Sequence, residues 1–137
     1  MNDILLVEDS DDDVALIKRG LQHARIANRI VRASGGDQAL QYLNAMEQEF
    51  EKTATPVTTV LLLDLKLPGF DGLDLLAKLQ SRRAFEKTLR VVLSGLGDLG
   101  IIKKAYSLGA HSFLSKPVHQ EELRELIQTY PEYWLTS

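Results

Sequence analysis

The sequence contains no cysteine, so disulfide bridges and sites that bind a metal through thiolates cannot form. It contains only three histidines, and none of them lies where the polar residues described below are expected to converge. A zinc site, which draws its ligands mainly from cysteine and histidine, is therefore disfavoured. We expect any metal site in this chain to be built from oxygen ligands.

Long apolar segments and an excess of basic residues are also missing. The longest apolar runs have four residues, as at residues 60–63, whereas a membrane-spanning helix needs about 20. The first residues lack the basic region of a signal peptide, and we expect a cytoplasmic protein without a membrane segment. The formal net charge of −3 is not typical of nucleic-acid binding, which usually needs a clustered basic face.

The pattern that is present consists of short apolar runs that alternate with longer stretches of helical periodicity. The 137 residues are enough for one domain with a real core. Strands are predicted at residues 4–7, 28–33, 60–63, 90–93 and 111–114. Helices are predicted at residues 11–25, 37–48, 73–79, 98–109 and 120–128, and the polar stretch 49–56 is expected to be a connection.

Strict alternation of strands and helices indicates a parallel sheet, because each crossover must be right-handed and long enough to hold a helix. The apolar runs 4–7 and 60–63 fit central strands that are buried on both faces. The half-polar run 28–33 fits an edge strand. The sequence therefore predicts an α/β fold with a doubly wound, five-stranded parallel sheet and five helices.

Polar residues directly follow four of the predicted strands. They are Glu8 and Asp9 after the first strand, Asp64 after the third, Ser94 after the fourth, and Ser115 and Lys116 after the fifth. One polar residue at a strand end is common, because strands normally emerge into polar loops. In a parallel sheet, however, these ends share one edge, where ligands bind in open α/β folds. We therefore expect three carboxylates, a hydroxyl and a lysine to converge there.

Such a cluster of carboxylates needs a cation. Two carboxylates about 4 Å apart repel each other by about 4 kcal/mol at an effective dielectric constant of about 20. Three of them require a raised pKa or a metal, and Mg²⁺ prefers oxygen ligands of this kind. The acidic run Asp11-Asp12-Asp13 is interpreted instead as a helix start, which the helix dipole favours.

The same residue types suit phosphoryl transfer. An aspartate carboxylate can act as a nucleophile and form an acyl phosphate, and the reaction asks the protein mainly for positioning and charge neutralisation. Lys116 can place its positive charge on phosphate oxygens. Ser94 can donate a hydrogen bond to a phosphoryl oxygen only after modification, and this contact would bias a conformational equilibrium.

Four segments then carry a family resemblance. The runs ILLVEDS, LLLDLKLPGFDG, VVLSG and FLSKP stand in this order and resemble the signature blocks of bacterial response-regulator receiver domains of two-component signalling. The resemblance covers roughly residues 3 to 128. It implies a flavodoxin-like sheet with the strand order 2-1-3-4-5 and a cis bond between Lys116 and Pro117.

The resemblance also implies a role for each residue at the sheet edge. For Mg²⁺, it implies Asp9 and Asp64 as direct ligands, Glu8 as a ligand through water, and the backbone carbonyl of Lys66 as a further ligand. Asp64 is implied to be the phosphoacceptor.

Three further residues receive roles in the same way. The resemblance implies that Lys116 binds the phosphoryl group and that Ser94 supplies the switch hydroxyl. Phe113, three residues before Lys116, is implied to be the aromatic switch residue.

The polar stretch after residue 47 and the aromatic end of the chain resemble the single-domain regulators that partner with phytochrome-type histidine kinases. We expect residues 1–129 to form the receiver domain and residues 130–137 to form a C-terminal aromatic tail. The tail has two interpretations. It folds back on its own domain, or it presents tyrosine and tryptophan side chains for dimerisation or partner docking.

The expected function is that of a phosphoacceptor that is switched by a histidine kinase and signals to a downstream protein or phosphotransfer partner. Its Mg²⁺-dependent self-phosphorylation and self-dephosphorylation would not make it a turnover enzyme. A receiver fold that acts only as an interaction scaffold, without phosphorylation, stays as the alternative.

A haloacid dehalogenase-type phosphatase is disfavoured, because Lys66 stands where a second acid is needed. A flavodoxin-like cofactor binder is also disfavoured, because no glycine-rich phosphate loop follows Val7.

Overall fold

Five strands alternate with five helices in a computed structural model, which describes residues 2–95 and 98–137. The strands are β1 (Asp3–Val7), β2 (Ile30–Ala33), β3 (Thr59–Asp64), β4 (Thr88–Gly95) and β5 (Ser112–Lys116). The helices are α1 (Asp11–His23), α2 (Gly36–Thr53), α3 (Gly72–Gln80), α4 (Leu99–Ser107) and α5 (Gln120–Thr129). All strand pairs are parallel and their order is β2-β1-β3-β4-β5, which confirms the predicted doubly wound fold.

The sheet is covered on both faces because successive side chains of a strand point to opposite sides. Leu5 and Leu61 face one core cluster, which α2 and α3 complete with residues such as Leu43 and Leu76. The alternate strand residues face a second cluster that α1 and α5 complete. Burial on both faces explains why β1 and β3 are apolar throughout their centres.

The strand β2 lies at the edge of the sheet, as its half-polar sequence predicts. It begins at Ile30 and not at Asn28, whose side chain makes hydrogen bonds to the two ends of the chain. Its amide nitrogen donates to the backbone oxygens of Asn2 at 2.6 Å and Tyr133 at 3.0 Å. The Asn28 side chain therefore links the N-terminal and C-terminal segments of the chain.

The helix α2 is longer than predicted, since residues 49–53 continue it and do not form a connection. Phe50 follows Met46 by four residues, so both lie on the helix face that packs against the first core cluster. The Arg83 guanidinium lies over the Phe50 ring at 5.7 Å and adds to this packing. The helix ends at Ala54, which adopts a left-handed backbone conformation with φ of 56°.

The aromatic end of the chain packs on its own domain. Trp134 is buried in the second core cluster. The backbone N–H of Ala27 donates to the carbonyl of Leu135 at 2.6 Å, and the N–H of Leu135 donates to the Asn28 side-chain oxygen at 2.7 Å. This is the fold-back interpretation of the tail, whereas the boundary between a domain of residues 1–129 and a tail of residues 130–137 stays a prediction.

Two further expectations can be compared with the structure. The peptide bond between Lys116 and Pro117 is cis, as the family resemblance implies. In the part of the chain that the structure describes, none of the helices combines the length and the apolar character needed to cross a membrane.

The burial of Trp134 predicts that the tail stabilises the domain. Trp134→Ala should lower the free energy of unfolding by about 3–5 kcal/mol, because it removes a large buried side chain. Leu135→Ala is the matched control, since Leu135 is 43% exposed and should change stability by less than about 1 kcal/mol. Urea unfolding followed by circular dichroism measures both. A Trp134→Ala variant that unfolds with the same free energy as the wild type would show that Trp134 does not stabilise the core.

Candidate functional site

The polar strand ends meet at one edge of the sheet, as the parallel topology predicts. Val7 pairs with Leu63, so Glu8 and Asp9 emerge beside Asp64. One carboxylate oxygen from each of these three acids lies within 4.8 Å of the others. The edge is therefore a cluster of three carboxylates whose oxygens are close enough to share one cation.

Lys116, at the end of β5, reaches into this cluster from the side. Its Nζ lies 3.1 Å from Asp64 Oδ2, to which it donates a hydrogen bond, and 2.8 Å from Glu8 Oε1. The second contact is an ion pair without hydrogen-bond geometry, so the buried Glu8 Oε1 has no hydrogen-bond donor among the described residues. The ammonium also lies 3.2 Å from Asp13 Oδ2. Lys116 is thus surrounded by acids.

Burial controls the protonation of Glu8, whose side chain is fully buried. Desolvation raises the pKa of Glu8 to about 7, Lys116 works against this rise, and the neighbouring Asp64 adds to it. Partial burial acts to lower the pKa of Lys116, but its contacts with Glu8 and Asp64 outweigh this effect and raise the pKa. The lysine therefore stays charged, whereas Glu8 can hold a proton near neutral pH.

Both oxygens of the Asp64 carboxylate have donors. The backbone N–H of Lys66 donates to Oδ1 at 2.9 Å, and Lys116 Nζ donates to Oδ2. Asp64 is only 3% exposed, so these contacts fix its position at the end of β3. The role of the Lys66 carbonyl as a metal ligand stays a prediction.

Arg32, on the edge strand β2, forms hydrogen bonds that hold the loop with the acidic pair in position. Its Nε donates to the backbone oxygen of Glu8 and its Nη2 to that of Asp9, both at 3.2 Å. Its Nη1 forms a 2.6 Å ion pair with Asp11. Arg32 is not among the residues predicted for the site, since an arginine on a half-polar edge strand is usually an ordinary surface residue.

The acidic run at the start of α1 acts mainly as predicted. Ser10 caps the helix by accepting a hydrogen bond from the N–H of Asp13 at 3.3 Å, and three acids occupy the first turn. Asp13 does more than begin the helix, because its carboxylate also contacts Lys116. No signal in the sequence distinguishes Asp13 from the other two acids of this turn, since the contact depends on where Lys116 lies in the fold.

Ser94 is buried at the end of β4 and its hydroxyl is already engaged. Its Oγ donates to Asp98 Oδ2 at 3.0 Å, and Lys66 Nζ lies 2.9 Å from the same oxygen. Asp98 occupies the N-cap position of α4, but its side chain accepts no hydrogen bond from the helix. An aspartate at this position usually caps the helix, but the carboxylate of Asp98 instead contacts Lys66 and accepts the hydrogen bond from Ser94. These two contacts hold the pKa of Asp98 below its usual range.

Phe113 lies in β5, three residues before Lys116, and is half-buried against the first core cluster. Tyr106, on the neighbouring α4, is 44% exposed. The switch role of Phe113 stays a prediction.

The strand order and the acidic cluster at the carboxyl edge define a flavodoxin-like receiver fold. The comparison with protein families agrees with this class. The chain belongs to the response regulator receiver domain family, whose sequence model matches residues 4–128. This family serves two-component and phosphorelay signalling.

Two relatives match almost the whole chain. A probable methanogenesis regulatory protein of Methanothrix harundinacea, FilR2, is 32% identical over 96% of this chain and 83% of its own length. The response regulator Rcp1 of Synechocystis is 29% identical over 98% of this chain and 89% of its own length.

Solved structures point in the same direction. The bacteriophytochrome response regulator RtBRR has a TM-score of 0.80 and 31% identity, covering all of this chain and 82% of its own. The Mn²⁺-bound form of Rcp1 has a TM-score of 0.68 and 26% identity, over 97% of this chain and 94% of its own. The phosphorylated cyanobacterial phytochrome response regulator RcpA has a TM-score of 0.70 and 29% identity, over 97% and 93%.

The raised pKa of Glu8 predicts how stability changes with pH when no metal is present. In the unfolded chain this carboxyl ionises near its usual pKa of 4.5, whereas the folded protein keeps it protonated up to about pH 7. Stability should therefore fall as the pH rises through this window. The free energy of unfolding that the wild type loses between pH 5 and pH 8 should be about 2 kcal/mol smaller in Glu8→Gln, because a pKa shift of one unit corresponds to about 1.4 kcal/mol.

Urea unfolding at both pH values in the presence of a chelator measures this difference. Glu125→Gln is the control, because Glu125 is an exposed acid on α5 and should leave the pH dependence of stability as it is. A Glu8→Gln variant with the same pH dependence as the wild type would contradict the burial effect.

Proposed function

We propose that this chain is a response regulator that accepts a phosphoryl group on Asp64 from a histidine kinase in a Mg²⁺-dependent reaction. The observation that carries the proposal is the position of Asp64. Its buried carboxylate lies at the carboxyl edge of the sheet, beside the acidic pair Glu8 and Asp9 and 3.1 Å from Lys116 Nζ. This arrangement combines a nucleophile with groups that neutralise phosphoryl charge.

The residues at the edge fit a divalent metal. Glu8, Asp9 and Asp64 offer oxygen ligands, which Mg²⁺ prefers, and the backbone carbonyl of Lys66 would add a fourth. When bound, the metal would neutralise negative charge on the phosphoryl oxygens. The Mn²⁺-bound form of the relative Rcp1 supports this assignment.

The chain's own residues would then act in turn. One Asp64 oxygen forms a bond to phosphorus while the bond from phosphorus to the donor imidazole nitrogen breaks, and that nitrogen keeps the electron pair. Lys66 N–H holds the second Asp64 oxygen in place. Lys116 transfers its contact from the carboxylate to a phosphoryl oxygen, and Ser94 becomes a donor to another.

The relatives and the exposed surface support a partner and an output for this chain. The phytochrome response regulators among the similar structures support a kinase of the phytochrome type as the phosphoryl donor. A cytoplasmic location and a possible homodimer stay predictions. The surface that would signal to a downstream protein includes α4, where Leu99 is 70% exposed and Tyr106 is 44% exposed.

Acetyl phosphate tests the phosphoacceptor directly. With Mg²⁺, the wild type should gain one phosphoryl group by intact mass under acidic quench, and a chelator should abolish it. Asp64→Asn should gain none, because an amide is not a nucleophile of this kind. Asp37→Asn, which removes an acid from the first turn of α2, should behave as the wild type. A wild type that stays unmodified by acetyl phosphate and by a histidine kinase would favour the interaction scaffold instead.

Arg32 provides a second test, of the metal site. If its two bonds to the acidic loop position Glu8 and Asp9, then Arg32→Gln should weaken Mg²⁺ binding by roughly tenfold. Loss of a positive charge alone would act in the opposite direction and strengthen cation binding. Arg29→Gln is the matched control, because Arg29 pairs with Asp3 beyond the other end of β2. Calorimetric titration measures both, and tighter Mg²⁺ binding in Arg32→Gln would contradict the positioning role.

A further inference from the structure

The hydroxyl of Ser94 is occupied before any phosphoryl group arrives. Its proton lies in a hydrogen bond to Asp98 Oδ2, and Ser94 is 1% exposed, so bulk water is not an alternative partner. A hydroxyl has one proton and can donate it fully to one acceptor at a time. Asp98 and a phosphoryl oxygen on Asp64 therefore compete for the same proton.

We propose that Asp98 is a positioning residue that holds the Ser94 hydroxyl away from the phosphoryl group and thereby sets how readily the receiver responds. This inference rests on the proposed function of Asp64 and Ser94. In this role Asp98 is a competing acceptor. The hydrogen bond from Ser94 to Asp98 has to break before Ser94 can donate to the phosphoryl group.

Lys66 makes this competition strong. Its ammonium lies 2.9 Å from the same Asp98 oxygen that accepts from Ser94, and it keeps this carboxylate ionised and in place. A hydrogen bond to an ionised acceptor is stronger than one to a neutral acceptor. Lys66 also follows Asp64 by two residues, so the contact connects the loop after β3 with the start of α4.

The comparison with α3 shows what Asp98 does not do in this state. Asp71, at the N-cap of α3, accepts hydrogen bonds from the N–H groups of Leu73 and Asp74 at 3.0 and 3.1 Å. Asp98 holds the equivalent position on α4, but its carboxylate makes no such bond. If Ser94 turned to a phosphoryl oxygen, Asp98 would be released to cap α4.

This exchange would connect the site to the surface. The start of α4 would gain a cap when the phosphoryl group is present and lose it when the group leaves. The helix carries the exposed Leu99 and Tyr106, so a change at its first turn alters a surface that a partner can contact. The switch would then consist of one carboxylate with two alternative sets of donors.

Beryllofluoride, which mimics a phosphoryl group on aspartate, tests the competition through its affinity in the presence of Mg²⁺. Asp98→Asn keeps an oxygen that can cap α4 but loses the charge that Lys66 and Ser94 contact. It should bind beryllofluoride roughly three- to tenfold more tightly than the wild type, in line with the worth of a charged hydrogen bond. In a Ser94→Ala background the same Asp98→Asn change should tighten binding much less, because no hydroxyl remains to be released.

The double variant separates this role from general electrostatics, since removal of a nearby negative charge would favour an anion whether or not Ser94 is present. Asp74→Asn is a matched control that removes an acid paired with Lys78 on α3. Equal tightening in both backgrounds, or an unchanged affinity in Asp98→Asn, would overturn the inference. Failure of the wild type to bind beryllofluoride would instead overturn the proposed function, and the inference with it.

A nuclear magnetic resonance measurement tests the second half of the exchange. Addition of beryllofluoride should shift the amide protons of Gly100 or Ile101 downfield in the wild type, because a new cap accepts a hydrogen bond from the first turn of α4. The shift should be lost in Asp98→Ala, which has no side-chain oxygen to form a cap. In Asp98→Asn the same amide protons should already lie downfield before beryllofluoride is added, because Lys66 and Ser94 no longer hold the side chain away from the helix. The same shift in Asp98→Ala would show that Asp98 does not become the cap.

Discussion

The contact of Lys116 with Asp64 and Glu8 is the interaction on which the site depends. Two carboxylates with almost no solvent exposure lie side by side, and a single ammonium lies within about 3 Å of both. Removal of the lysine would leave buried negative charge without a partner, which is far more destabilising than loss of a surface ion pair. The raised pKa of Glu8 shows that one ammonium does not fully compensate for the burial of the two carboxylates. The remaining negative charge favours the binding of a further cation.

The topology of the sheet makes this contact possible. Lys116 and Asp64 are far apart in the chain but come from strands that end at the same edge, with β4 between them. The two core clusters cover both faces of this sheet, and the polar side chains at its edge need only short loops to meet. The structure thus brings its charged residues together at the edge of the sheet, while the apolar strands form the core.

Much of this could be predicted from the sequence because strand ends are visible in it. Glu8, Asp64, Ser94 and Lys116 each follow an apolar run, and parallel topology alone brings them together. Asp98 and Arg32 could not be interpreted correctly in this way. Asp98 has the identity and position of a helix cap, and only the distance to Lys66 and Ser94 reveals its different use. The end of α2 was predicted too early because its last turns are polar, although the Met46–Phe50 spacing continues the helix.

The most direct test of the account is to locate the modified side chain itself. An acyl phosphate is reduced by borohydride to an alcohol, so brief treatment with acetyl phosphate and Mg²⁺, followed by reduction and peptide mass spectrometry, marks the phosphoacceptor. The account predicts a single reduced residue, at position 64, and no reduction when Mg²⁺ is chelated. Reduction at Glu8, Asp9 or another acid, with Asp64 unchanged, would contradict it.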